Sequence, residues 1–233
     1  MAPTPEQARI VANLKSGLSE FSIPILSAQT SVTGFLIPIT HRLAEDRAIV
    51  DALFRWRRAH MKAFLTVFTP TLEKTQNYLT DFSLPDPARI LFLAADRASR
   101  HVGHIGLCNI TADGAEIDNV VRGESVDNPD FMVHAHSALL RWAFSVLDIP
   151  LAYLNVLAHN ERALRTYRKV GFREVARTRL VREEQDDGYR LRPASISNRD
   201  AAVATLARME IVRGHWFANK YAGATYAQHS WTD

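Results

Sequence analysis

Apolar residues fall along this chain in alternating textures. Ala8, Val11, Leu14 and Leu18 recur at three- and four-residue steps, which predicts a short amphipathic helix within 4–20. From Phe21 to Thr40 the residues are rich in Ile, Val, Phe and Thr, with Pro24 and Pro38 near the ends, and one or two strands are expected. Helical period returns over 45–65, where Ile49, Leu53, Trp56, His60 and Phe64 share a stripe, and another short helix is expected over 71–82. Pro85 and Pro87 break the chain. The run from Arg89 to Ala95 is then continuously apolar after its first residue, as a buried strand would be. A strand over 102–110, a turn from Thr111 to Ala115 and a strand from Glu116 to Val121 complete a β-meander.

The clearest helix is 131–147, with Phe131, Ala135, Ala138, Leu139, Trp142, Ala143 and Val146 on one face. Leu151 to Ala158 reads as a buried strand. Asn160 is suited to cap a helix that Gly171 would end, and Phe172 to Arg182 returns to strand texture. The polar stretch 184–201 holds the turn Asp186-Asp187-Gly188 and is expected as an inserted loop or hairpin before a last strand from Val203 to Val212. Strand, helix and strand at 116–121, 131–147 and 151–158 allow a parallel crossover. The fold class expected is α/β: a mixed, mostly antiparallel sheet with helices on both faces.

Composition narrows the classes. With 233 residues, 47% apolar and 23% charged, the chain can bury a core of its own. The single cysteine, Cys108, excludes an internal disulfide and a multi-thiolate metal site. His134 and His136 lie two apart on a helix and do not face each other, so no metal is expected. A net charge of +3 without a basic run gives no reason to expect nucleic acid. No segment reaches the ~18 apolar residues of a membrane span. Met1 to Gly17 lacks a signal-type apolar core, and with the free thiol a cytoplasmic protein is expected.

Asn160-Glu-Arg-Ala-Leu-Arg-Thr-Tyr167-Arg-Lys-Val-Gly171-Phe172 resembles the C-terminal motif of the GNAT superfamily of acetyl-CoA-dependent N-acetyltransferases. The order of elements from about 33 to 212 is similar to that fold. The division expected is an extension over 1–30, the acetyltransferase domain over 31–213 and a tail over 214–233. Arg55-Trp56-Arg57, the stretch from Glu116 to Gly123 and Leu139-Leu-Arg-Trp-Ala-Phe144 resemble, more weakly, the group that acylates small amino substrates, nucleotide-linked amino sugars among them. The loop from Arg122 to His134 departs from the family's phosphate loop: it has one glycine, and acids where phosphates would lie.

The resemblance implies acetyl-CoA as cosubstrate and a small-molecule amine as acceptor. Pyrophosphate binding falls to the helix N-terminus near Phe131, with Arg122 as a bidentate donor and Gly123 allowing close approach. The pantetheine arm would lie along the backbone of Val120 and Val121, with Asn155 beside it and Asn160 near the coenzyme. Tyr167 occupies the family's general-acid position for the thiolate. An alkylamine must lose a proton before attack. Asp118 and Glu116 alternate on one strand face and are the candidate bases, with His104 a further one. Asn119 is placed on the opposite face, supporting neighbours, substrate or cofactor. Arg57, with Arg55 and Arg58, is a candidate for binding an anionic acceptor, whereas Trp56 belongs in the core. Other readings are a protein or peptide amine acceptor, and a non-catalytic domain that binds an acyl-CoA. The aromatic tail (Trp216, Phe217, Tyr221, Tyr226, Trp231) suits docking on the body or on a second subunit, which makes a homodimer an expectation.

Overall fold

Alternation in one central strand decides the layering. Ile90, Phe92 and Ala94 pack into a core on one side of the sheet, and Leu91 and Leu93 into a second core on the other. A strand buried on both faces needs cover on both, and the helices supply it. The computed structural model describes residues 2–221. In chain order the elements are α1 (Pro5–Ser16), β1 (Ile23–Leu26), β2 (Val32–Pro38), α2 (His41–Glu45), α3 (Arg47–Ala59), β3 (Thr66–Phe68) and α4 (Leu72–Asn77) with a π-helical turn (Tyr78–Ser83). Then come β4 (Ile90–Asp96), β5 (His101–Thr111), β6 (Gly114–Arg122), α5 (Phe131–Ser145), β7 (Leu151–Leu157) and α6 (Glu161–Val170). Last are β8 (Arg173–Gln185), β9 (Gly188–Pro193), β10 (Ala204–Val212) and α7 (Arg213–Tyr221).

Strand order is β1-β2-β4-β5-β6-β7-β10-β8-β9-β3. All pairs are antiparallel except β6 with β7, the crossover spanned by α5. The segment 184–201 contributes the end of β8 and all of β9, a hairpin closed at Gly188. α1, α5, α6 and the start of α7 cover one face, and α2, α3 and the π-helical turn cover the other.

One element differs from the sequence expectation. The stripe of 45–65 ends at His60, which caps α3, and the chain then turns into β3, paired with β9. α1 is tied into the body: Val11 is buried, and the Gln7 amide donates to the carbonyls of Thr111 and Leu147 at 3.1 and 3.0 Å. Trp216 is buried against Phe144 of its own chain, while Tyr226 and Trp231 lie outside the described residues. No helix among the described residues is long and apolar enough to cross a membrane.

Candidate active site

β6 and β7 run side by side for only two pairs, Ala115 with Ala152 and Glu116 with Tyr153. Beyond them the strands part, and a cleft of about 940 Å³ opens along Ile117 to Arg122. At one end lies the N-terminus of α5. Asn128 takes the N–H groups of Asp130 (3.0 Å, side chain) and Phe131 (3.1 Å, carbonyl). The N–H groups of Met132 and Val133 then remain without an acceptor inside the helix, at its positive end, in the cleft wall. Arg122 lines this end together with Arg162, Arg165 and Lys169 of α6. Partial burial and the neighbouring Arg162 hold the Arg122 guanidinium below its ordinary pKa. Asp130 is neutralised by Lys169 at 2.7 Å. Free N–H groups and four cationic side chains suit the phosphates of a coenzyme A. The sequence reading missed Arg162, Arg165 and Lys169, although their three- and four-residue spacing marks one helix face.

Gly123 does not belong to this end. Its N–H donates to Val102 at 2.9 Å, and a Cβ built on it would lie 2.2 Å from carbons of the Trp56 indole. The glycine is there for packing, and it does not line the cleft.

Midway, Tyr167 is held by the turn that ends α6. Gly171 adopts φ 113°, and the N–H groups of Gly171 and Phe172 both return to the Tyr167 carbonyl, at 3.1 and 3.0 Å. Its ring meets the edges of His136 and Phe172 at 5.4 and 6.2 Å. Burial, with Asp118 adding to it, pushes the phenol pKa up, so the hydroxyl keeps its proton. His136 is also buried. Its Nδ1 donates to the Met132 carbonyl at 2.6 Å, and its Nε2 has no partner among the described residues. Asn160 caps α6 by accepting from the Ala163 N–H at 3.2 Å, and it borders the cleft.

Across the strand opening, Glu116 accepts from Asn155 at 2.8 Å and from Asn109 at 2.9 Å. Asp118 is paired with Arg89 Nη1 at 2.6 Å and accepts from the Asn119 amide at 2.9 Å. The two carboxylates line one cleft, as their spacing suggests, but each has its own donors. Asn119 does not turn away: a bulge in β6 brings it to the same cleft, where it also donates to the Tyr78 hydroxyl at 2.7 Å. Burial pushes the Tyr78 pKa up to about 12. Val120 and Val121 border the cleft at the bulge. Arg89 and Tyr78 were not singled out in the sequence, Arg89 because it reads as the start of an apolar strand.

The far end is built from α3 and the segment after it. Of the three arginines of α3, Arg55 is engaged outside by Asp51 and Glu124 (2.9 and 3.3 Å), and Arg58 does not line the cleft. Arg57 does. Its guanidinium lies 3.4 Å from the centre of the Phe64 ring and donates to the Thr66 carbonyl at 3.1 Å. Among the described residues its Nε is buried without a partner and no carboxylate lies within ion-pair distance, and burial brings its pKa down to about 10. His104 is buried behind the bulge, away from the cleft wall, and burial brings its pKa down to about 4. As a candidate base it is therefore misplaced. Among the described residues, no group of three His, Cys, Asp or Glu side chains is placed to hold a metal ion.

A family model of the acetyltransferase (GNAT) domain matches residues 39–173, from the end of β2 into β8. No match to a curated protein is found. Among solved structures, the chain is similar to spermidine N-acetyltransferase from Vibrio cholerae in complex with CoA and spermine, at 19% identity and a TM-score of 0.57, covering 79% of this chain and 98% of that one. It is also similar to a probable GNAT-family acetyltransferase from Chromobacterium violaceum, at 14% identity and a TM-score of 0.60, covering 86% and 92%. A dodecameric structure of the Vibrio cholerae enzyme is similar at 18% identity and a TM-score of 0.53, covering 75% and 94%. The family model spans more than half of the chain and runs through the whole strand opening. This chain belongs to the GNAT acetyltransferase family and is an acyl-CoA-dependent N-acyltransferase of that type.

Proposed function

We propose that the chain moves an acetyl group from acetyl-CoA to the primary amine of a small, polar, anionic acceptor, with a nucleotide-linked amino sugar as the class that fits best. One observation carries the reading. A single cleft joins a cationic helix N-terminus, a buried tyrosine, two carboxylates and a half-buried arginine whose Nε has no partner among the described residues.

Met132 and Val133 N–H groups, Arg122, Arg162, Arg165 and Lys169 would hold the phosphates. Main-chain groups of Val120 and Val121 would pair with the pantetheine amides where β7 no longer does, with Asn155 and Asn160 alongside. The bound thioester supplies the acyl group for direct attack. Asp118 is the preferred proton acceptor for the incoming ammonium, directly or through water, and Glu116 is the alternative. Arg89 pairs with the Asp118 carboxylate and holds it at the cleft. Tyr167, protonated, would give its proton to the departing sulfur. The Vibrio cholerae relative is crystallised with spermine, a polycation. A half-buried Arg57 whose Nε has no partner among the described residues supports an acceptor of the opposite charge, since a desolvated guanidinium gains most from a carboxylate or phosphate. Asn119 would sit between the acceptor and Tyr78. A homodimer belongs to the same reading, with sedimentation as its check.

The test is calorimetric titration with acetyl-CoA, followed by turnover on three amines: a nucleotide-linked amino sugar, spermidine and an N-terminal peptide. Micromolar cofactor binding and turnover of the sugar nucleotide are expected. Tyr167→Phe should lower that turnover by roughly 10²-fold. Preferred turnover of spermidine or the peptide would overturn the acceptor assignment. Cofactor binding with no turnover of any amine would point to a binding domain, and no binding at millimolar acetyl-CoA would overturn the proposal as a whole.

A further inference from the structure

The bulge in β6 is the pivot of the site, and its cause lies on the neighbouring strand. His104 of β5 pairs with Val121, and Gly106 pairs with Asp118. Ile105 alone therefore faces two residues, Asn119 and Val120. The extra residue bends the strand and breaks the ladder at that point. Asn119 takes φ 50°, the left-handed region, which an asparagine tolerates better than most side chains but does not choose unaided. Its carbonyl loses a cross-strand N–H and needs another donor.

His104 is that donor. Its Nδ1 lies 2.6 Å from the Asn119 carbonyl oxygen. A carbonyl has no proton to give, so Nδ1 carries it. The imidazole is only 4% exposed and stacks on the Trp56 indole, 6.1 Å between centroids and 29° between planes. The indole is fixed in turn by a hydrogen bond from its N–H to Glu124 at 2.8 Å. On the cleft side the Asn119 amide reaches Tyr78 and Asp118.

We infer that His104 is a positioning residue for acyl transfer: its Nδ1–H clamps the Asn119 carbonyl, fixes the bulge, and so sets where the main chain of Asn119 and Val120 and the Asp118 carboxylate face the reacting atoms. His104 touches neither substrate. Its effect is carried by the bulge, whose main chain lines the cleft where β6 has left β7. The inference rests on the proposed acetyl-CoA reaction for its functional half and on the hydrogen bond alone for its structural half. Arg57, His60 and Asp118 are the ionisable groups acting on the imidazole.

The two halves are tested separately. Long-range ¹H–¹⁵N spectra of histidine-labelled protein report the tautomer without any ligand. A neutral His104 ring protonated at Nδ1 is expected at pH 7, and protonation at Nε2 would overturn the clamp. The second measurement compares acetyl-CoA with CoA, by calorimetry, in wild type, His104→Asn and His104→Leu. Asparagine keeps a donor near the Nδ1 position, and leucine keeps only bulk. A main-chain group aimed at the thioester carbonyl favours acetyl-CoA over CoA by about tenfold, the worth of one hydrogen bond. His104→Leu should erase that preference while leaving CoA affinity within about twofold, and His104→Asn should restore it. Equal loss of both ligands in both variants, or an unchanged ratio in His104→Leu, would overturn the positioning role. If wild type binds neither ligand, the proposed reaction fails, and the imidazole spectrum still decides the clamp.

Discussion

Gly123→Ala is the most direct test of how this site is built, because the same glycine has two incompatible explanations. As part of a phosphate loop, it would lower cofactor affinity when replaced and leave stability nearly alone. The structure assigns it to packing. A Cβ at this position would lie 2.2 Å from three indole carbons of Trp56, a residue only 2% exposed. To reach ordinary contact at ~3.5 Å the indole must retreat by about 1.3 Å, which its neighbours oppose. Overpacking of this kind costs about 1–3 kcal/mol. A retreat also strains the hydrogen bond from the indole N–H to Glu124, adding roughly 1 kcal/mol for a partly exposed acceptor. The expected loss is about 3 kcal/mol, or roughly 6–12 °C in Tm for a chain of this size. Urea and thermal unfolding measure it. In a Trp56→Leu background the indole is gone, and the same substitution should cost below about 1 kcal/mol, a coupling that a double-mutant cycle reads directly. CoA affinity, measured well below the transition, should stay within about twofold. A variant of undiminished stability with weakened CoA binding would refute the packing argument and return Gly123 to the phosphate loop.

Other outcomes follow from the same geometry. Gln7→Leu leaves the carbonyls of Thr111 and Leu147 without their donor and should cost about 1–3 kcal/mol in urea unfolding, although the residue lies far from the cleft. Arg165→Ala should weaken CoA binding by about tenfold in low salt, and by less as salt is raised; a salt-independent effect would argue against a phosphate contact. His104 and His136 both titrate near pH 4 in the fold instead of near 6.5. The unfolded chain therefore binds more protons between those values. Stability should be constant from this source above pH 6.5 and fall toward pH 4, by roughly 3 kcal/mol per histidine at the lower end. Urea midpoints from pH 7 to 4.5 follow this, and His136→Phe should flatten part of the slope; an unchanged slope would show that His136 is not buried neutral.

What was legible in the sequence was what local chemistry decides. The stripe of 131–147 became α5, the apolar runs at 89–95 and 151–158 became β4 and β7, and Asn160 and Gly171 cap the helix that carries Tyr167. What was hidden depends on a partner distant in the chain. β3 is three residues long and exists because it pairs with β9 across more than a hundred positions, so no local period announces it. Arg55, Arg57 and Arg58 look alike in a helix. Only the packing of α3 on the sheet turns Arg57 inward between Phe64 and Phe68 and leaves Arg55 to Asp51 and Glu124. Arg89 reads as the edge of an apolar run until Asp118, twenty-nine positions later, is seen beside it.

The bulge explains the deeper misreading. Period-two reasoning sends Asp118 and Asn119 to opposite faces, and it holds only while each residue faces one partner. A single extra residue resets the parity, and nothing local in Asn119-Val120 announces one, since no glycine marks the left-handed position. The signal lay on another strand, in a histidine suited to serve a stray carbonyl. In the sequence His104 offers itself as a further base on the preceding strand, although a lone strand histidine is more often structural. Buried, neutral and hydrogen-bonded through Nδ1, it acts instead on the backbone. Gly123, Trp56, His104 and Asn119 thus form one stack running from the core to the cleft, each residue explained by the next. Replacing any inner member should reach the site through the bulge.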